Sequence, residues 1–249
     1  MTNLLATTLA LIFTILTLFP HSSYSHPINK TAHHSSAVPY GLLITHCTVP
    51  NTIALTFDDG PSTYTPQLLD LLSEYGARST FFVNGYRLQE SAPILQRIYN
   101  EGHQIASHTF GHSFLPALDN PTIINEMNTL ESLFRTFIGR VPTYMRPPFL
   151  AVDGRILALM TDLGYHVIGA SVDTKDYENN TPWLIGESVR NFVEGVQAGG
   201  TVVLAHDTHA QTVWTLTRVM LEESRRRGLV GTLPLPGIYL GCAVVLMIS

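Results

Sequence analysis

Thr56-Phe57-Asp58-Asp59-Gly60-Pro61 follows the apolar run Ile53-Ala54-Leu55, and that junction decides how the chain is read. A short apolar run bounded by turn residues reads as a buried strand. Two adjacent carboxylates at its end are costly, because like charges this close hold one carboxyl protonated. Neighbouring strand residues point to opposite faces, but the strand stops here, so both acids can turn to one site. A bound cation removes the conflict: one acid ligates it and the other stays ionised as a base. Alone, the quartet Asp-Asp-Gly-Pro is an ordinary acidic turn. Partners later in the chain give it chemistry.

Downstream, short apolar runs alternate with amphipathic ones. Thr65-Pro66 opens a helix carrying Leu68, Leu69, Leu71, Leu72 and Tyr75, which Gly76 stops. Ser79 to Val83 is β-rich, Ser91 caps a helix from Pro93 to Asn100, and Gln104-Ile105-Ala106 is strand-like. Asn120-Pro121 starts a longer helix reaching about Phe137, and Thr143 to Arg146 is extended. Asp153 to Leu163 is helical, His166 to Val172 extended, Trp183 to Val196 helical, Thr201 to Ala205 extended and Thr212 to Arg227 helical. About seven strand–helix units in one α/β chain imply a parallel sheet, most naturally closed into a (β/α) barrel. Chemistry in that architecture sits at the C-terminal strand ends.

Upstream, Met1 to about Ser25 reads as a leader, with Leu4 to Phe19 almost wholly apolar and small residues at Ser23 and Ser25. It lacks Lys and Arg and is short for a membrane span, which favours a cleaved secretory signal over an uncleaved anchor. Residues 26–46 read as a flexible arm, with a His33-His34 pair and a glycosylation sequon at Asn29; Asn179 begins a second sequon, which Pro182 weakens. A net charge of −5 with 13% charged residues and no basic run argues against nucleic acid and a polybasic membrane patch. A secreted monomer is expected, with no membrane span in the mature chain. Its two cysteines, Cys47 and Cys242, invite a disulfide in an oxidising compartment.

The remaining strand ends carry the partners of Asp58 and Asp59. Ser107-His108-Thr109-Phe110-Gly111-His112 follows the third strand, and two His four apart share one face of a helical turn. With Asp59 they make two nitrogen ligands and one oxygen ligand, leaving a position for water, a set that suits catalytic zinc. Arg146-Pro147-Pro148-Phe149 is a rigid turn that points Arg146 and frees the Phe149 amide. Asp173-Thr174-Lys175-Asp176-Tyr177 alone is an acidic loop. Val202-Val203-Leu204-Ala205-His206-Asp207 places a histidine where a general acid is needed.

These five stretches, in this order, resemble the polysaccharide deacetylase family (carbohydrate esterase family 4, the NodB homology domain), and fungal chitin deacetylases look most similar. The resemblance runs from about Val49 to Arg227 and implies a distorted (β/α) barrel and a metal-dependent hydrolase that removes N-acetyl groups from amino-sugar polymers such as chitin or chito-oligosaccharides. By it, Asp58 matches the catalytic base, and Asp59, His108 and His112 match the metal ligands, for zinc with cobalt as a substitute. Arg146 matches the residue orienting the base, the Phe149 amide the oxyanion donor, Asp176 the partner tuning the acid and His206 the acid. Leu204 lines the acetyl-methyl pocket, and Tyr177 stands where many relatives have Trp, as an aromatic wall for a sugar ring. Arg78 is a second cation that could serve Asp58, and sequence leaves the choice open. The domain is read as 47–227. Residues 228–249 form an atypical, uncharged apolar tail unlike the family's usual close, which puts Cys242 as partner of Cys47 in question. An O-deacetylase of acetylated xylan, a peptidoglycan deacetylase and an inactive carbohydrate-binding protein are the alternative readings.

Overall fold

Strand β2 (Thr52–Asp58) is buried along its whole length, as expected of a parallel strand covered on both faces. It lies between β3 (Thr80–Val83) and β8 (Val202–His206), with parallel pairing throughout. The computed structural model describes residues 39–231. Beyond β3 the sheet continues through β4 (Gln104–Ser107), β5 (Tyr144–Met145) and β6 (His166–Ile168) to β1 (Leu43–Ile44); beyond β8 it ends at β7 (Val172–Asp173). A ninth short strand, β9 (Val230–Gly231), pairs with the start of β2. The result is a curled parallel half-barrel flanked by helices, within the expected α/β class.

Side-chain alternation separates two layers. Ile53, Leu55, Phe57, Phe81, Val83, Ile105, Val203 and Ala205 form one core with the helices. The alternate residues Ala54, Phe82, Ala106, Tyr144, Ile168 and Val202 pack with one another inside the curl. Thr56 and Asp58 share that inner side with Ala54 by the same period, so Asp58 ends a buried column facing inward.

The helices follow their sequence signals. In α1 (Thr65–Glu74), Leu68, Leu69, Leu71 and Leu72 are buried. In α3 (Asn120–Ile138) the carboxylate of Asp119 accepts from the Thr122 amide at 3.0 Å, and Gly139 ends the helix at φ 68°. In α4 (Gly154–Asp162) Asp153 caps Ile156 in the same way at 2.8 Å. At α2 (Ala92–Asn100) Ser91 holds the cap position without capping, because its hydroxyl donates to the Arg87 carbonyl. Helix α5 (Ile185–Gln197) precedes β8. The last predicted helix divides into a wide π-type turn, Thr212–Leu216, and α6 (Thr217–Arg226).

Two expectations are corrected. The extended run His166–Val172 is two strands at different places in the sheet: β6 pairs with β1 and β5, β7 with β8. The chain breaks at Gly169–Ser171, where the Ser171 hydroxyl accepts from the amides of Thr201 and Val202. The segment read as the end of the entry arm also contributes β1. The leader, the Asn29 sequon, the His33-His34 pair, Cys242 and most of the apolar tail lie outside the described residues. Among those described, no helix is long and apolar enough to cross a membrane.

Candidate active site

Asp58 closes β2, and its buried neighbour is Arg146, the residue after β5. The guanidinium is fully buried and donates from Nη1 to Asp58 Oδ1 at 2.7 Å and to the Thr56 hydroxyl at 2.7 Å. Its other nitrogens reach the carbonyls of Gly169 at 2.8 Å and Ile168 at 3.4 Å, and it stacks over the Phe82 ring. A buried arginine with every face engaged holds the carboxylate in one orientation. Arg78 stands at the opposite end of β3, donating to its neighbour Ala77. Of the two arginines, Arg146 contacts Asp58.

Asp59 takes φ 73°, a left-handed conformation uncommon outside glycine. That turn brings its carboxylate to the side of the strand end where Asp58 already points. Asp59 Oδ1 lies 3.3 Å from Nε2 of His112 and 3.5 Å from Nε2 of His108. The ligand atoms of Asp59, His108 and His112 all lie within 4.8 Å of one another, a possible metal triad. The two histidines meet there, but not on a helix. The stretch after β4 is a loop, with Thr109 at φ 65° and His112 at φ 56°; positive φ at a β-branched residue is the kind of strain that functional sites retain.

The ligand set fits a divalent metal by its tautomer. Nδ1 of His108 lies 2.7 Å from the Arg146 carbonyl, which can only accept, so Nδ1 carries the proton and the Nε2 lone pair is left free for a cation shared with Asp59. Burial, outweighing Asp59, lowers the His108 pKa to about 3, which keeps the imidazole neutral as a ligand must be. Asn84, at the end of β3, donates to Asp59 Oδ1 at 3.1 Å.

His206 ends β8 directly beside Asp58 in the β2–β8 register. Its Nδ1 is 2.8 Å from Asp176 Oδ1, and its main-chain N–H donates to Asp176 Oδ2 at 2.6 Å. Asp176 is buried and also accepts from the Thr212 hydroxyl at 2.7 Å and the Tyr177 amide at 3.1 Å. Burial opposes ionisation of both groups, yet the hydrogen-bonded pair holds Asp176 low and raises His206 to about 9. The imidazole is therefore protonated at neutral pH, with Nε2 3.9 Å from Asp59 Oδ2. Burial raises Asp58 against the pull of Arg146, the direction that suits a base.

Asp58, Asp59, His108, His112 and His206 line a cleft of about 380 Å³ with Phe149, Tyr177, Leu204 and Asp173. Phe149 is 65% exposed and sits edge-on to His112, and Tyr177 is 47% exposed and edge-on to His206. Two exposed rings thus lie beside a polar centre. Asn84, Thr212 and Asp173 were not singled out from sequence; the one available signal was their position at or just after strand and loop ends.

A curled parallel sheet that gathers an Asp/His/His triad, a buried carboxylate and a charged histidine in one cleft gives a candidate metal site of the kind a hydrolase uses. The model of the polysaccharide deacetylase family matches residues 45–168. The chain is 47% identical over 197 residues to a chitin deacetylase of Pestalotiopsis sp., covering 78% of this chain and 66% of that one. It is 40% identical to the chitin deacetylase of Colletotrichum lindemuthianum, covering 77% of this chain and 81% of that one; the solved structure of that organism's enzyme superposes with a TM-score of 0.75 over 77% of this chain and 89% of the other, at 39% identity. A peptidoglycan-N-acetylglucosamine deacetylase of Bacillus cereus is 34% identical over 72% of this chain and 86% of its own. The chain belongs to the polysaccharide deacetylase family. It spans 46% to 66% of the length of three of the curated relatives it matches.

Proposed function

We propose that this chain is a secreted, monomeric, metal-dependent deacetylase of N-acetylglucosamine polymers, with chitin and chito-oligosaccharides as substrates. The observation that carries the reading is the meeting of Asp58 and His206, each with its own buried partner, with the Asp59/His108/His112 triad in one cleft. A zinc ion held by these three residues would supply positive charge to polarise the acetyl carbonyl and to acidify the attacking water. Asp58, fixed by Arg146, accepts the proton as water adds to the carbonyl carbon. The Phe149 amide donates to the oxyanion that forms, and Leu204 faces the acetyl methyl. His206 gives its proton to the departing amine, so the C–N bond breaks to release acetate and a free amino sugar. Tyr177 walls the sugar ring.

The test is acetate release from chitin oligomers, acetylated xylan and peptidoglycan measured side by side, before and after chelation. The expected result is release from chitin oligomers that chelation abolishes and zinc or cobalt restores. Activity that survives prolonged chelation overturns the metal, and preference for xylan or peptidoglycan overturns the substrate.

A further inference from the structure

Gly60 follows Asp59, and its φ is one that any residue adopts. Backbone conformation therefore does not explain glycine there. Close approach does: a Cβ on Gly60 would overlap both carboxyl oxygens of Asp207. Asp207 follows His206, is fully buried, and belongs to none of the roles assigned above.

The contacts of Asp207 all reach back to the turn after β2. The Thr65 hydroxyl donates to Oδ2 at 2.5 Å, and the Ser62 hydroxyl donates to the main-chain oxygen at 2.6 Å. Thr65 in turn accepts from the Ser62 amide at 2.7 Å, and Ser62 accepts from the Tyr64 amide at 3.0 Å. Oδ1 is buried with no partner among the described residues. A buried carboxylate with one bare oxygen costs far more than a neutral acid in the same place.

We propose that Asp207 is a positioning residue: seated against Gly60 as the neutral carboxylic acid, it locks the turn carrying Asp58 and Asp59 to the strand end carrying His206. Burial agrees, raising its pKa to about 7; Thr65 and His206 oppose the rise and Asp59 adds to it. The lock sets the base-to-acid spacing without touching substrate. Its kinetic readout rests on the deacetylase reading.

The experiment compares zinc-loaded, full-length Asp207→Asn, Asp207→Ala, Gly60→Ala and the Gly60→Ala/Asp207→Ala double variant for kcat, KM, zinc content and thermal midpoint. Asp207→Ala and Gly60→Ala should each lose roughly 10–100-fold in kcat with KM nearly unchanged, the signature of misplaced reacting groups. Asp207→Asn, uncharged and isosteric, should recover most of kcat. The double variant should exceed Gly60→Ala alone, because the added methyl fills the vacated space. Wild-type kcat in Asp207→Ala, or simple additivity in the double variant, overturns the lock; Asp207→Asn as damaged as Asp207→Ala overturns the neutral form. Should Asp207→Ala not fold, Thr65→Ser and Thr65→Val decide, since only Ser keeps the hydroxyl: equal kcat in the two overturns the proposal. If zinc-loaded wild type releases no acetate, the deacetylase reading fails, and the thermal midpoints then decide: coupling between positions 60 and 207 supports the lock and additivity overturns it.

Discussion

The main-chain oxygen of Arg146 stands 2.7 Å from Nδ1 of His108. The same residue's guanidinium holds Asp58 at 2.7 Å, so one position serves the proposed metal ligand through its backbone and the proposed base through its side chain. Substitution separates the two services. Arg146→Lys keeps the carbonyl and should keep its zinc by metal analysis, while turnover falls on the order of 10²-fold because an ammonium cannot reproduce the fork. Arg146→Ala leaves the buried Asp58 carboxylate unpaired and should cost about 3–5 kcal/mol in denaturant unfolding.

Asp58 and Asp59 are chemically identical neighbours in different surroundings. Asp59→Asn should lose zinc affinity, and excess zinc should partly rescue it, since an amide is a poorer ligand. Asp58→Asn should keep its zinc yet lose roughly 10²–10⁴-fold in turnover, with no rescue. Equal zinc loss in both variants would show that Asp58 is also a ligand.

Removing the charge of Asp176 tests the acid. His206 is raised to about 9 by that carboxylate against burial, so Asp176→Asn must lower it. Only the protonated imidazole can give up a proton to the amine, so the alkaline limb of kcat/KM should move to lower pH in the variant. A limb that stays in place assigns it to another group.

Stability carries a separate pH signature. The Asp207 pKa, about 7 in the fold, lies above the roughly 3.9 of an unfolded aspartate. Its stabilising contribution is complete below the unfolded value and is lost as pH rises through the folded one. Relative to Asp207→Asn, wild type should lose up to about 4 kcal/mol of unfolding free energy between roughly pH 4 and 7, then level off. A difference between the two that does not change with pH means that Asp207 is ionised in the fold across that range.

The side chain of Asn179 is engaged: Nδ2 donates to the buried Ser188 hydroxyl at 3.2 Å. Expression in a glycosylating host should leave this asparagine unmodified, which the mass of its proteolytic peptide reports.

The long periodic elements were legible because burial writes itself into local order. Thr52–Asp58 shows as an apolar run and Asn120–Ile138 is long enough to show its helical period, with Asn120-Pro121 marking its start. Leu43–Ile44 and Val230–Gly231 are two residues each, too short for any period, and exist only through pairing with distant strands. The break between β6 and β7 was hidden for the same reason. It is made by Ser171 capturing amides 30 and 31 positions away, and by the Arg146 guanidinium on Gly169. In the site, the spacing of His108 and His112 pointed to a pair that the structure does bring together, but for a helical reason that the loop does not share. Asn84 and Thr212 act through hydrogen bonds to residues far along the chain, which leave no local pattern.

The β2–β8 pairing sets Asp58 opposite His206 in neighbouring strands, although almost 150 residues separate them in the chain. On a ribosome, the first half of the domain emerges with the proposed base and all three proposed metal ligands while His206 and Asp176 are still unsynthesised. Contacts of such long sequence separation close late in folding. On the proposed roles, a nascent or truncated chain gathers the groups for holding metal long before those for cleavage, so the capacity to bind and the capacity to turn over are acquired at different moments of synthesis.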